Sequence, residues 1–257
     1  MMGGMRSGGL LTAARYALVE QGRNRFALLL VTLFVPGWIT LAGFMLPSAP
    51  AVFVLRSAGL VLRPDGRELS QVAGALNTAT LIAGFMMFAV TFSTGDFDRR
   101  LVLAGSRRVH LVVAKLVALL AVAAVVCGYA TGVLCVFWPP RQPLLLAVAL
   151  LSASATYGVL GVALGTVLRR EVEGMFAIVM ISMVDVGLQN PAFSGGAGSD
   201  GVRVLPSYGA FQLATGAAFS SARSGSCLVL QSAWFTGAVL LAFLAFRVRS
   251  RSAPRQP

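Results

Sequence analysis

Thr94-Gly-Asp-Phe-Asp-Arg-Arg-Leu-Val-Leu-Ala-Gly-Ser-Arg-Arg-Val-His-Leu-Val-Val-Ala-Lys115 is a polar island between two long apolar runs. It holds five of the chain's 21 Lys and Arg residues (Arg99, Arg100, Arg107, Arg108 and Lys115) and its single histidine, His110. The local signals read helix, break, helix. Thr94 or Asp96 is placed to N-cap a short helix starting near Phe97, because a short polar side chain satisfies the unpaired N–H groups at a helix start. Gly105 is a natural C-terminal stop, since glycine takes the left-handed conformation without a side-chain clash. Ser106 then caps a second helix running into the next apolar run. A short rigid helix on a water-exposed loop can transmit force to a partner. A basic loop that only fixes orientation has the same composition.

Outward from this island, the chain is apolar. Of its 257 residues 57% are hydrophobic and 12% charged, where a soluble domain carries about 25% charged residues. Crossing a hydrocarbon core of about 30 Å takes roughly 20 apolar residues in a helix. Such runs recur, so the composition predicts one polytopic membrane domain over 1–257, without a soluble domain large enough to fold alone. The net charge of +12 does not point to nucleic acid, because the cations flank apolar runs, where they set topology and meet anionic lipid. Cys127 and Cys135 lie eight residues apart in one run, about 12 Å along a helix and too far for a disulfide. They and Cys227 read as packing residues.

In chain order, 1–9 is Gly-rich and expected to be disordered. Residues 10–25 place Leu11, Ala14 and Leu18 among Arg15, Glu20 and Arg23, the pattern of an amphipathic helix on a membrane surface rather than a signal peptide. Spans are expected at about 26–46, 70–93, 116–138, 144–168, 172–188 and 227–246. Pro36-Gly37 falls inside the first and should kink it. Val52–Leu55 and Leu60–Leu62 form a small hairpin, and Arg63-Pro64-Asp65-Gly66 fits a type I turn. Pro139–Pro143 is a tight outer turn. Gly161/Gly165 and Gly128/Gly132 are small-xxx-small pairs suited to helix packing. Tyr208–Phe219 is apolar but too short to span, and reads as a re-entrant or interfacial outer helix introduced by Leu205-Pro206. A basic tail, 247–257, closes the chain. Fifteen cations fall on the side of both termini and the island, and six on the other, so both termini and the island are expected in the cytoplasm.

Little chemistry is available for catalysis. One histidine excludes a two-His zinc motif, and the one lysine, Lys115, follows Ala114 rather than the glycine of a P-loop. No metal site and no enzyme activity are expected. Asp185 is the one acid inside a span, roughly 17 Å along the helix from Gly174. An intramembrane carboxylate is a candidate for substrate contact. It could instead be solvated from the outer side or pair with an outer arginine. Pro36 is a second candidate lining residue.

The order of parts resembles the permease subunits of type 2 ABC exporters over nearly the whole chain. An elbow, Leu18-Val-Glu-Gln-Gly-Arg-Asn-Arg25, precedes six spans. The charged stretch Asp98–Lys115 lies between the second and third, and the Leu205-Pro206 segment between the fifth and sixth. Where family members often carry Glu in the charged loop, this chain has Asp96 and Asp98. The resemblance implies an all-α integral membrane protein that pairs with a second permease copy, identical or not. It also implies separate ATP-binding-cassette ATPase subunits, which would hold the ATP and Mg, leaving no cofactor in this chain. The loop would be the coupling helix, with Phe97, Leu101 and Ala104 on its docking face and Asp96, Asp98, Arg99 and Arg100 in polar contact. The cargo would be a hydrophobic small molecule, such as an antibiotic or a lipid-linked compound, crossing a bacterial plasma membrane. The alternative is an ATP-independent carrier or a signalling or scaffold subunit.

Overall fold

The computed structural model describes residues 25–46, 48–103, 108–168, 170–191, 193–194, 199–221 and 225–251. The amphipathic helix expected over 10–25 (Arg25 excepted), Ala104, Gly105 and Ser106, the Gly195–Gly198 segment and the tail past 251 lie outside them. The described elements are α1 (Arg25–Phe44), a hairpin of β1 (Phe53–Leu55) and β2 (Leu60–Leu62), α2 (Gly66–Leu103), α3 (Arg108–Phe137), α4 (Pro143–Val167), α5 (Glu171–Gln189), a 3-10 turn (Asp200–Val204), α6 (Tyr208–Phe219) and α7 (Gly225–Arg251). Among the described residues four helical segments are long and apolar enough to cross a membrane: Gly66–Phe92, Leu120–Phe137, Pro143–Val167 and Gly225–Val248. The protein is a mostly helical, multi-pass membrane protein. α1 and α5 coincide with the two other expected spans, and α1 runs through Pro36 without interruption.

α4 is the central helix, packed against α2, α3, α6 and α7. Its residues Leu146, Leu150 and Ala153 join Leu69 and Leu76 of α2, Leu134 of α3 and Phe211 of α6 in one core. Lipid tails are as apolar as leucine, so close packing rather than escape from water must hold such helices together. The Gly161/Gly165 pair supplies it. A Cβ at Gly161 would collide with the Gly84 carbonyl oxygen of α2, and one at Gly165 would fall 3.0 Å from the Phe88 carbonyl oxygen. α2 in turn approaches α5 at Gly84, where a Cβ would lie 2.8 Å from Ile178 Cγ2. The other pair, Gly128/Gly132, meets no atom within 4 Å.

Two expectations are corrected. There is no break at Thr94 or Asp96: α2 continues to Leu103, so the short helix expected from Phe97 is the end of the second span's own helix. A continuing helix satisfies its own backbone, whereas a break must recruit caps. The second correction is at Arg63–Gly66, which is not a free turn. Asp65 instead caps α2, accepting from Arg67 N–H on Oδ1 (2.8 Å) and from Leu69 N–H on its carbonyl (3.0 Å).

The hairpin forms where expected, turning at Gly59 with φ 62°. It buries Phe53 and Leu55, and the Phe53 ring meets Phe211 of α6 edge-on at 5.7 Å. Arg56, in its turn, donates to Asp200 Oδ1 (2.7 Å), and Arg203 lies 3.3 Å from the same oxygen. The Arg56 hydrogen bond, helped by both positive charges, holds the Asp200 carboxyl below its ordinary pKa.

Two outcomes follow from this packing. Gly161→Ala should lower stability by about 1–3 kcal/mol through overpacking, read as a lower thermal midpoint in detergent, while Gly128→Ala leaves it unchanged. A depressed carboxylate adds stability above its unfolded pKa and loses it as pH falls through the folded one. Hydrogen exchange of 200–204, corrected for intrinsic rate, should therefore rise below the ordinary Asp range, and Arg56→Gln should remove that step.

Candidate functional site

α6 has 12 residues, about 18 Å of helix, and cannot cross the membrane. Yet all of Tyr208–Ala218 is buried. A helix leaves its first N–H and last C=O groups without internal partners. Away from water these groups must be met by protein. At the N-terminal end, Ser207 N–H donates to Asp185 Oδ2 (3.0 Å) and Ala210 N–H to Gln231 Oε1 (3.0 Å). At the other end, the turn between α3 and α4 acts as the cap. Arg141 N–H donates to the Ala218 carbonyl (3.1 Å), Gln142 N–H to Ala217 (2.9 Å) and Gln142 Nε2 to Ser220 (3.0 Å).

The Asp185 carboxylate is therefore a helix cap. It is 1% exposed. Its Oδ2 also accepts from the Tyr157 hydroxyl of α4 (2.6 Å), and Oδ1 accepts from Gln189 Nε2 (2.6 Å), which reaches Ser207 Oγ as well (2.9 Å). A negative charge is stabilised by such donors and by the positive end of α6. No arginine takes part in the contacts described for it. Ser182, Asp185 and Gln189 form a polar stripe along the buried face of α5. One turn from Asp185, Ser182 Oγ accepts from Asn77 Nδ2 (2.9 Å) and bonds the Thr80 hydroxyl (2.8 Å), both on α2. Asn190, just past α5, donates to Ser70 Oγ (3.2 Å).

Two further glutamines complete the clamp on α6. Gln231 of α7, whose oxygen caps Ala210, donates to Thr156 Oγ1 (2.8 Å) and to the Pro206 carbonyl (3.1 Å). The helices can approach because residue 209 is glycine: a Cβ there would fall 2.5 Å from the Cys227 carbonyl oxygen. Gln212 binds the hairpin, accepting from Arg56 N–H (3.2 Å) and donating to the Val54 carbonyl (3.3 Å). A cavity of about 50 Å³ opens beside this clamp, lined among others by Arg56, Gln189 and Gln212. The volume suffices for ordered water.

The structure separates the residues singled out by sequence. Asp185 is in the clamp. Pro36 lies half-buried on α1, which packs on α2 and α3 rather than on α5. Asp96, Phe97, Asp98, Arg99, Arg100 and Leu101 occupy the far end of α2, with Phe97 roughly 46 Å from Gly66. Sequence reasoning missed Tyr157, Gln189, Ser207, Gln212 and Gln231. The spacing of Ser182, Asp185 and Gln189 on one helical face was a signal for the stripe, but nothing local marks Tyr157 or Gln231 as its neighbours. Among the described residues no group of three His, Cys, Asp or Glu is placed to hold a metal. A scan against protein-family models finds no match to this chain, and a search of curated proteins finds none either.

Asp185→Ala strands Ser207 N–H, at about 1–3 kcal/mol, and leaves the Tyr157 hydroxyl only the Ile181 carbonyl at 3.5 Å, whereas Tyr157→Phe removes that hydroxyl and leaves Asp185 its bonds from Gln189 and Ser207. The alanine variant should melt well below the phenylalanine one. A cysteine at position 212 should react with a thiol reagent faster in the alanine variant, as α6 undocks.

Proposed function

We propose that this chain is the permease subunit of an ATP-driven exporter of the type 2 ABC class, coupled to a separate ATPase. The observation that supports this reading best is the course of α2. One helix starts beside the hairpin and α6, runs through an apolar segment ending at Phe92, and continues to Leu103 with Asp96, Asp98, Arg99 and Arg100 in its last turns. A rod of this kind joins a docking end to the region where α6 is clamped.

In this reading α1, α2, α3, α4, α5 and α7 are six spans of a bacterial plasma-membrane protein, with both termini and the far end of α2 in the cytoplasm. The cation asymmetry noted above favours that orientation. Two permease copies, identical or not, enclose the path of a hydrophobic small molecule or lipid-linked compound. ATP and Mg are held by the partner. Asp185 sets the position of α6 at the outer end of the path. The docking end is the face carrying Phe97 and Leu101, four residues apart and so on one side of the helix. Apolar anchors carry most of the energy of such contacts, and rim charges less.

Phe97→Ala and Leu101→Asp should each abolish co-purification of the ATPase or uncouple it from transport, while Arg100→Ala has a smaller effect. Complex recovery and transport are the readouts, in proteoliposomes with and without ATP. Full recovery and transport by both apolar variants would remove the coupling role. Transport that continues without ATP would favour a carrier.

A further inference from the structure

A second cavity, of about 320 Å³, opens where the hairpin meets the α3–α4 turn and the C-terminal end of α6. That is within the roughly 300–1,000 Å³ of small-ligand sites. Its wall is aromatic. The Trp138 and Phe219 rings stack at 5.2 Å and 13°, and the Trp138 indole N–H donates to Gln71 Oε1 (2.9 Å), which fixes the ring. Two cations, Arg63 and Arg141, and one acid, Glu68, also line it. Arg56, Arg170 and Arg203 are ion-paired, whereas among the described residues neither Arg63 nor Arg141 is, and Glu68 is not either.

The position identifies the ligand's environment. The apolar segment of α2 begins at Gly66, that of α3 ends at Phe137, and that of α4 begins at Pro143. Arg63, Glu68, Trp138 and Arg141 lie within three residues of those three ends, at the level of lipid headgroups, where tryptophan concentrates. The N-termini of α2 and α4 add partial positive charge there.

We propose that this cavity binds an aminoalkyl phosphate headgroup, with the phosphate between Arg63 and Arg141 and the primary ammonium at Glu68. Guanidinium groups suit phosphate oxygens, which accept charge-assisted hydrogen bonds. The carboxylate disfavours a purely anionic headgroup and accepts from a primary ammonium, which choline cannot match because it has no N–H. The same ester occurs in phosphatidylethanolamine and as free phosphoethanolamine. The assignment does not depend on the transporter reading.

Native mass spectrometry of the purified protein with phosphatidylethanolamine, phosphatidylcholine and phosphatidylglycerol of identical chains tests it. Phosphatidylethanolamine should be retained about tenfold over the others, the ratio expected when one charge-assisted bond is lost. The double variant Arg63→Gln/Arg141→Gln should lose that retention, Arg67→Gln should keep it, and Glu68→Gln should bring phosphatidylglycerol up to the same level. Elution volume and melting midpoint check that each variant is folded. Displacement of the lipid by soluble phosphoethanolamine assigns the site to the free ester, and failure to displace assigns it to the lipid. Equal retention of the three lipids, unchanged retention in the double variant, or an equal loss in Arg67→Gln would overturn the proposal.

Discussion

A helix buried at both ends must find protein partners for backbone groups that water would otherwise satisfy. That constraint, imposed by α6, explains why Asp185 and Gln231 are polar although buried. Asp185, Gln231 and Gln142 each come from a different element, and each meets an end of α6. Apolar replacements at these positions would leave amide and carbonyl groups stranded. The carboxylate is costly to bury, and it is retained where three donors and a helix terminus converge on it.

Glycine does the complementary work. Between α2 and α4, and between α6 and α7, backbones approach until no side chain fits, at Gly161 and Gly209 respectively. The helices therefore meet in two modes, small residues giving distance and polar stripes giving register. α5 uses both: Gly174 sits against the Phe88 ring, while Ser182 and Asp185 bond α2 and α4. Dispersion alone would let such a helix slide or rotate, and the hydrogen bonds set one position.

Apolar length and local breakers made most of the fold legible in the sequence. The α6 limits, the hairpin strands and the approximate places of the long helices follow from them. The charged end of α2 was misread because Thr94, Gly95 and Asp96 resemble a boundary, while the competing term, uninterrupted backbone bonding, is cooperative and has no single-residue mark. Asp65 was misread for a related reason: the residue types of a turn and of an N-cap overlap. Asp185 could be flagged from sequence, but its role could not be read, because Tyr157 lies 28 residues away and Ser207 lies 22 residues away. Contacts at that separation are set by the packing of three helices.

The unbroken course of α2 has a mechanical consequence. Thirty-eight residues in one helix make a rod about 57 Å long, nearly twice the thickness of a hydrocarbon core. A tilt of about 5° around one end displaces the other by roughly 5 Å, close to one helical turn. Near one end Ser70, Asn77 and Thr80 are tied to α5 and its C-terminal extension, so a lateral push on the other end loads those bonds directly. The relation is reciprocal, because any difference in free energy that the Ser182 contacts impose on the tilt is felt in equal measure by whatever binds the distal turns. A flexible joint at Thr94 would have absorbed that work.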